Sequence, residues 1–261
     1  MTKRRIAYAQ ILAAVGIALL LWTGCSPLDK NRSVRVGEVE FTMVYVEGGT
    51  FVMGCTDEQN GDCWHFEEPC HEVTLSPFYM AETEVTQALW REVMGSNPSH
   101  FVGDSLPVEN VSWDDCMAFV DSLCKRTGLR FALPTEAQWE YAARGGCSSR
   151  HYKYSGSDSI NAVAWNGDNS RHSTHAVRGL QPNELGIYDM SGNVFEWCAD
   201  WYDLYEPEQQ NDPVGPATGR YRTLRGGAWQ VSAIMCRVSD RGFVEPSEHD
   251  SIYGLRLVML P

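Results

Sequence analysis

Basic side chains are in short supply: 21 Lys and Arg stand against 34 Asp and Glu in 261 residues, a formal net charge of -13. A surface of that sign repels phosphate backbones, so no nucleic-acid partner is expected. It also suits divalent cations, although a soluble charged surface is the commoner explanation. Long apolar runs are nearly absent too. The one that occurs, residues 6–22 behind Lys3, Arg4 and Arg5, is shorter than the ~20 residues that span a bilayer. Thr23-Gly24-Cys25 follows it. Residues 1–24 therefore read as a secretory signal, and Cys25 as the lipidation site of a lipoprotein-type cleavage. Gly24 fits such a site, whereas Trp22 is bulkier than the aliphatic residue usual there. Cleavage removes three basic residues and no acidic one, which makes the chain more acidic still. The expected location is the cell envelope, lipid-anchored and either periplasmic or surface-exposed, with residues 25–42 as lipidated cysteine and tether. No internal repeat is visible, and the length of residues 43–261 suits one large domain.

Histidine is scarce, at seven, and matches no standard zinc spacing. Cys55, Cys63 and Cys70 cluster with His65 and His71, and in an oxidising compartment a disulfide is favoured over zinc there. Removing a lipidated Cys25 from nine cysteines leaves an even number, so disulfides are expected, but their pairing cannot be read from sequence. His172 and His175 lie three apart in a polar loop and read as solvated rather than as ligands.

What is present is local punctuation. Residues 43–54 give two short β-type runs around Gly48-Gly49, which predicts a hairpin. One helix is predicted after Thr86 as N-cap, ending before Gly95. A second follows Ser112, gains first-turn negative charge from Asp115, and stops at Gly128. Cys116, Met117, Val120, Leu123 and Cys124 recur along it at helical spacing, which points both cysteines at the core. A third starts at Thr135, with Gln138 completing a capping box, and ends at Gly145-Gly146. Beyond it the chain offers loops and short strands studded with Trp165, Trp197, Trp201 and Trp229, whose rings are expected to fill the interior.

Asp189-Met190-Ser191-Gly192-Asn193-Val194-Phe195-Glu196 places two carboxylates about a glycine turn, a mixture that hard cations favour. The competing reading is a turn in which Asp caps backbone amides and Glu pairs with a buried arginine. Arg225, Arg237, Arg241 and Arg256 are read as buried, bidentate structural ion-pair partners.

Leu133-Pro134-Thr135-Glu136-Ala137-Gln138-Trp139-Glu140, Gly192-Asn193-Val194-Phe195-Glu196-Trp197, Arg225-Gly226-Gly227-Ala228-Trp229, Cys236-Arg237 and Tyr253-Gly254-Leu255-Arg256 follow one another in that order. Through them the chain resembles the sulfatase-modifying-factor (formylglycine-generating enzyme) family over about residues 43–259. The resemblance implies an α+β architecture of few short helices and strands, irregular and related to C-type lectins. It brings Glu136, Glu140, Glu196 and Asp200 near the four arginines. It also implies calcium at the glycine turn, held by the side chains of Asp189 and Glu196 and the carbonyls of Met190, Gly192 and Val194. A second calcium loop, near residues 161–170, is not assigned.

In the family's copper-dependent oxidases, two cysteines five residues apart bind Cu(I) just after the arginine-glycine-glycine motif. The second maps onto Cys236 and the first onto Val231, while Ala228 replaces a serine. Cu(I) wants two soft thiolates, so copper is not expected. Cys236 is the catalytic candidate only under an oxidase reading, and is otherwise structural, with Cys198 as its suggested bridge partner. The iron-dependent sulfoxide synthases need a further helical domain for which the chain has no room. The expected function is a non-catalytic binding or scaffold module of the cell envelope, with an envelope protein or surface ligand as partner. The alternative is a copper-dependent oxidase that converts a sulfatase cysteine to formylglycine.

Overall fold

The computed structural model describes residues 30–260; the expected signal segment and Cys25 lie outside the described residues. Three helices begin where a side chain accepts from a free amide, and two of them stop at a glycine. Helix α1 (Gln87–Met94) starts where Thr86 Oγ1 accepts from Leu89 N at 3.3 Å, and stops at Gly95 with φ 78°. Helix α2 (Trp113–Thr127) has a full capping box: Ser112 Oγ accepts from Asp115 N at 3.1 Å, and Asp115 Oδ2 accepts from Ser112 N at 3.0 Å. Helix α3 (Glu136–Ala143) repeats it with Thr135 and Gln138. A short helix α4 spans Ile160–Val163.

Among the described residues, strands form four small sheets. The largest has the order β1 (Arg32–Val36), β2 (Val39–Val46), β5 (Phe78–Ala81), β14 (Val258–Met259), β6 (Phe131–Ala132). A second runs β10 (Gln210–Asn211), β4 (His71–Leu75), β3 (Gly49–Met53). A third is β12 (Gly242–Val244), β11 (Arg222–Arg225), β9 (Phe195–Trp201), β13 (Tyr253–Gly254), and the last pairs β7 (Ala164–Trp165) with β8 (Ser191–Gly192). The result is the expected irregular α+β architecture. One apolar cluster joins α1 and α2 to the largest sheet, with Trp90 stacked on Phe119 at 4.9 Å; a second surrounds Trp139 of α3.

Two expectations change. The run at residues 43–54 is not a hairpin, because β2 pairs with β5 and β3 with β4 in different sheets. Gly48 is the crossing point: a Cβ there would stand 2.5 Å from the Leu75 carbonyl oxygen, so the glycine serves close backbone approach rather than a turn. The domain also begins earlier than residue 43. Strand β1 alternates so that Val34 and Val36 are buried in the main core, which takes residues 32–36 and 39–42 out of the tether. Of the tryptophans, Trp197 and Trp229 are buried, whereas Trp165 and Trp201 are half-buried. Trp201 lies under the Arg222 guanidinium at 3.6 Å.

Candidate functional site

The C-terminal motifs converge on a lattice of buried ion pairs. Arg256 bonds Glu196 through Nη2 at 2.7 Å and Nε at 2.9 Å, and Trp139 Nε1 donates to the same carboxylate at 2.6 Å. Arg241 grips Glu136 at 2.6 and 2.8 Å, and Arg225 pairs with Glu140. All three pairs join strands or loops to α3 or β9, where few backbone ladders hold the chain. Arg237 takes a partner that sequence did not suggest, Glu67, at 2.6 and 2.9 Å. Glu67 sits in the cysteine-rich segment, 170 residues away, so no local signal announces it. Asp200 makes no arginine pair; its Oδ2 accepts from Glu136 N at 2.8 Å and closes the start of α3. Burial, with Glu136 nearby, pushes its carboxyl up to about 7.

The glycine turn is built by backbone geometry before chemistry. Asp189, Gly192 and Asn193 all have positive φ, and a Cβ on Gly192 would stand 2.2 Å from the Trp165 carbonyl oxygen, so glycine is required there. Asp189 Oδ2 accepts from Arg178 N at 2.8 Å, and burial raises its carboxyl to about 6. Both Glu196 oxygens already accept from protein donors, Oε1 from Arg256 and Oε2 from Arg256 and Trp139. A third carboxylate, Glu84, reaches in from after β5: its Oε2 accepts from Asn193 Nδ2 at 2.8 Å and its Oε1 from Val194 N at 3.2 Å. Burial, then the charges of Asp189 and Glu196, hold Glu84 well above the ordinary carboxylate range. Of the set Asp189, Met190, Gly192, Val194 and Glu196 expected at calcium, the two side chains, Asp189 and Glu196, are both engaged with protein donors. The arrangement matches the competing reading, an amide-capping Asp and an arginine-paired Glu. Among the described residues, no three His, Cys, Asp or Glu side chains are grouped to hold a metal ion.

Cys236 ends a single 3-10 turn, residues Ala233–Cys236, and is fully buried with Tyr154 and Val163. Its Sγ lies 3.9 Å from the Ser232 carbonyl oxygen, and Val231 packs against the same cluster. Gly227 closes over it: a Cβ there would come within 2.6 Å of the sulfur. Burial, aided by Asp240, pushes the thiol up to about 12, which disfavours the thiolate that metals and electrophiles need. The residues at this position do not fit a two-thiolate copper centre. The suggested bridge to Cys198 is not made. Both are free thiols, and Cys198 is buried in the separate cluster around Trp139.

Other candidates resolve plainly. Cys55 and Cys63 form a disulfide, leaving Cys70 free and exposed, and His71 packs on Tyr205 at 4.8 Å rather than facing the cysteines as a ligand. His172 is exposed, but His175 is not simply solvated: it stacks on Trp165 at 3.8 Å, with Nε2 2.7 Å from the Ser170 carbonyl oxygen.

A family model described as the sulfatase-modifying factor enzyme 1-like domain matches residues 33–260. The chain is 32% identical over 266 residues to the chaperone protein LppX of Paenibacillus barcinonensis, covering 83% of this chain and 88% of that one. It is 34% identical over 299 residues to the formylglycine-generating enzyme of Streptomyces coelicolor, covering 88% and 91%. The solved structure of Treponema denticola variable protein 1 superposes with a TM-score of 0.82 at 34% identity, covering 89% and 99%. Three further curated relatives are longer, and the chain spans 37% to 39% of their length. The chain belongs to the sulfatase-modifying factor family.

Proposed function

We propose that this member of the sulfatase-modifying factor family is a non-catalytic binding or scaffold module, exported and held at the cell envelope through a lipidated Cys25. The observation that carries the reading is the state of Cys236: a single thiol, fully buried, with Val231 where the second sulfur would stand. Cu(I) needs two converging thiolates, and neither the partner nor the ionised form is provided here. Ala228 also lacks the hydroxyl expected beside a reacting thiol. The ion-pair lattice supports the same reading, since it fixes the motif residues as structural ties. The Paenibacillus relative carries the name of a chaperone protein, a role that rests on binding other proteins.

The similarity to the Streptomyces formylglycine-generating enzyme favours the rival, an oxidase using Cys236 with an unorthodox second ligand. One assay separates them. The reduced protein is incubated with Cu(I), oxygen and a cysteine-containing sulfatase peptide, and the peptide is weighed. An unchanged peptide is expected, also with Val231→Cys alone, because Ala228 remains; formylglycine formed by the unmodified protein overturns the reading.

A further inference from the structure

A cavity of 840 Å³ opens beside β3, and three cysteines are among the residues that line it: the free Cys70 and Cys147, and Cys55 of the Cys55–Cys63 disulfide. None of them belongs to the motifs described above. Their order follows the strand. At the Gly49 end, Cys147 Sγ lies 3.1 Å from Tyr141 Oη and 3.0 Å from where a Cβ of Gly49 would stand. At the Gly54 end, Cys70 Sγ donates to the Cys55 carbonyl oxygen at 2.7 Å. Five residues of extended chain separate these ends by about 16 Å, too far for Cys70 and Cys147 to bridge each other.

Among the described residues, strand β3 is the edge of its sheet, paired with β4 on one side and with no strand on the other. Its Phe51 is fixed against Tyr141 at 5.2 Å, while Val52 is 44% exposed. An open edge of this kind takes an extended chain as an added strand, with main-chain hydrogen bonds supplying affinity. A chain laid there passes the disulfide.

We propose that this groove is a thiol-exchange site for an extended, cysteine-bearing segment of a partner protein. The proposal rests on the binding-module reading and names the partner's chemistry. The partner thiolate attacks Cys55 Sγ, since Cys55 is the half of the disulfide that lines the cavity; a new disulfide forms, the Cys55–Cys63 bond breaks, and Cys63 leaves as a thiolate that takes up a proton. One disulfide is consumed and one is made, so no outside oxidant is needed. Cys70 then resolves the adduct. Its thiol loses a proton and attacks Cys55 Sγ, expelling the partner as a thiolate and leaving Cys55 joined to Cys70. Desolvation and the nearby Glu140 hold the Cys70 thiol above its ordinary range, which lowers the thiolate fraction available for this second step.

The test uses the purified, oxidised protein without copper and two probes: a seven-residue peptide of β-branched residues around one central cysteine, and glutathione. Reactions are quenched with acid, then weighed intact and mapped. The peptide is expected to form an adduct at Cys55 at least about tenfold faster than glutathione, because the strand edge raises its local concentration. Cys70→Ser and Cys70→Ala should both let that adduct accumulate several-fold. Equal rates for the two probes, an adduct confined to Cys147, or no adduct overturns the proposal. A serine version of the peptide that binds while the cysteine version does not exchange sinks the exchange and keeps the binding module. Formylglycine in the copper assay sinks the module instead.

Discussion

Cys236 and Cys70 are free thiols of one domain, and their surroundings differ in almost every respect. Cys236 belongs to a family motif, yet it is sealed under Gly227 among Tyr154, Val163 and Val231, with its thiol pushed up to about 12. Cys70 belongs to no motif, yet it faces a cavity beside a disulfide and an open strand edge. The difference teaches that a cysteine's place in a motif does not measure its chemistry; solvent access separates these two thiols, although desolvation raises both. On the closed side, the residues of a family motif pack around a buried thiol. On the open side, sulfur chemistry is accessible where the family pattern says nothing.

The closed side depends first on its ion pairs. Arg256→Ala leaves Glu196, with Glu84 and Asp189 close by, without a neutralising cation, and should cost about 3–5 kcal/mol in urea denaturation. A loss below about 1 kcal/mol would place the lattice among weak, solvated pairs. Gly227→Ala attacks the seal itself. Its Cβ would meet Cys236 Sγ at 2.6 Å and the Met235 carbonyl oxygen at 2.7 Å, at a φ of 76°. The expected cost is about 1–3 kcal/mol, with faster native-state labelling of Cys236. No change in either would mean that the thiol is not confined.

Smaller effects sharpen the comparison. Thr135→Ala removes the acceptor of Gln138 N and should cost about 1 kcal/mol without altering the contrast between the two thiols, since it only starts α3. A stability change indistinguishable from zero would show that the cap is not holding the helix. Chelation should have the least effect. With both Glu196 oxygens bonded, removing calcium is expected to leave the melting temperature unchanged, and a drop reversed by added calcium would restore the cation at the glycine turn.

Local chemistry in the sequence was enough to place three helices, because Thr86, Ser112 and Thr135 each satisfy the amide three residues on. The buried arginines were legible as a class, since guanidinium groups inside motifs that are otherwise apolar need carboxylates. Their partners were less so. Glu67 and Glu84 meet Arg237 and Asn193 across 170 and 109 residues, a distance that no periodicity spans. The hairpin reading at residues 43–54 failed because Gly48-Gly49 looks the same whether the chain folds back or crosses between sheets. Val34 and Val36 alternate with exposed residues and did carry a strand signal, in a stretch taken as a tether. The groove lay beyond reach, since Cys147 comes to β3 only through the packing of Tyr141.

Pulsed alkylation of the native protein, mapped residue by residue, tests the contrast most directly. The account predicts that Cys70 and Cys147 label within the first pulse, while Cys236, with Cys116 and Cys198, labels only after denaturant is added. Labelling of Cys236 in the native state at a rate comparable to that of Cys70 would contradict it.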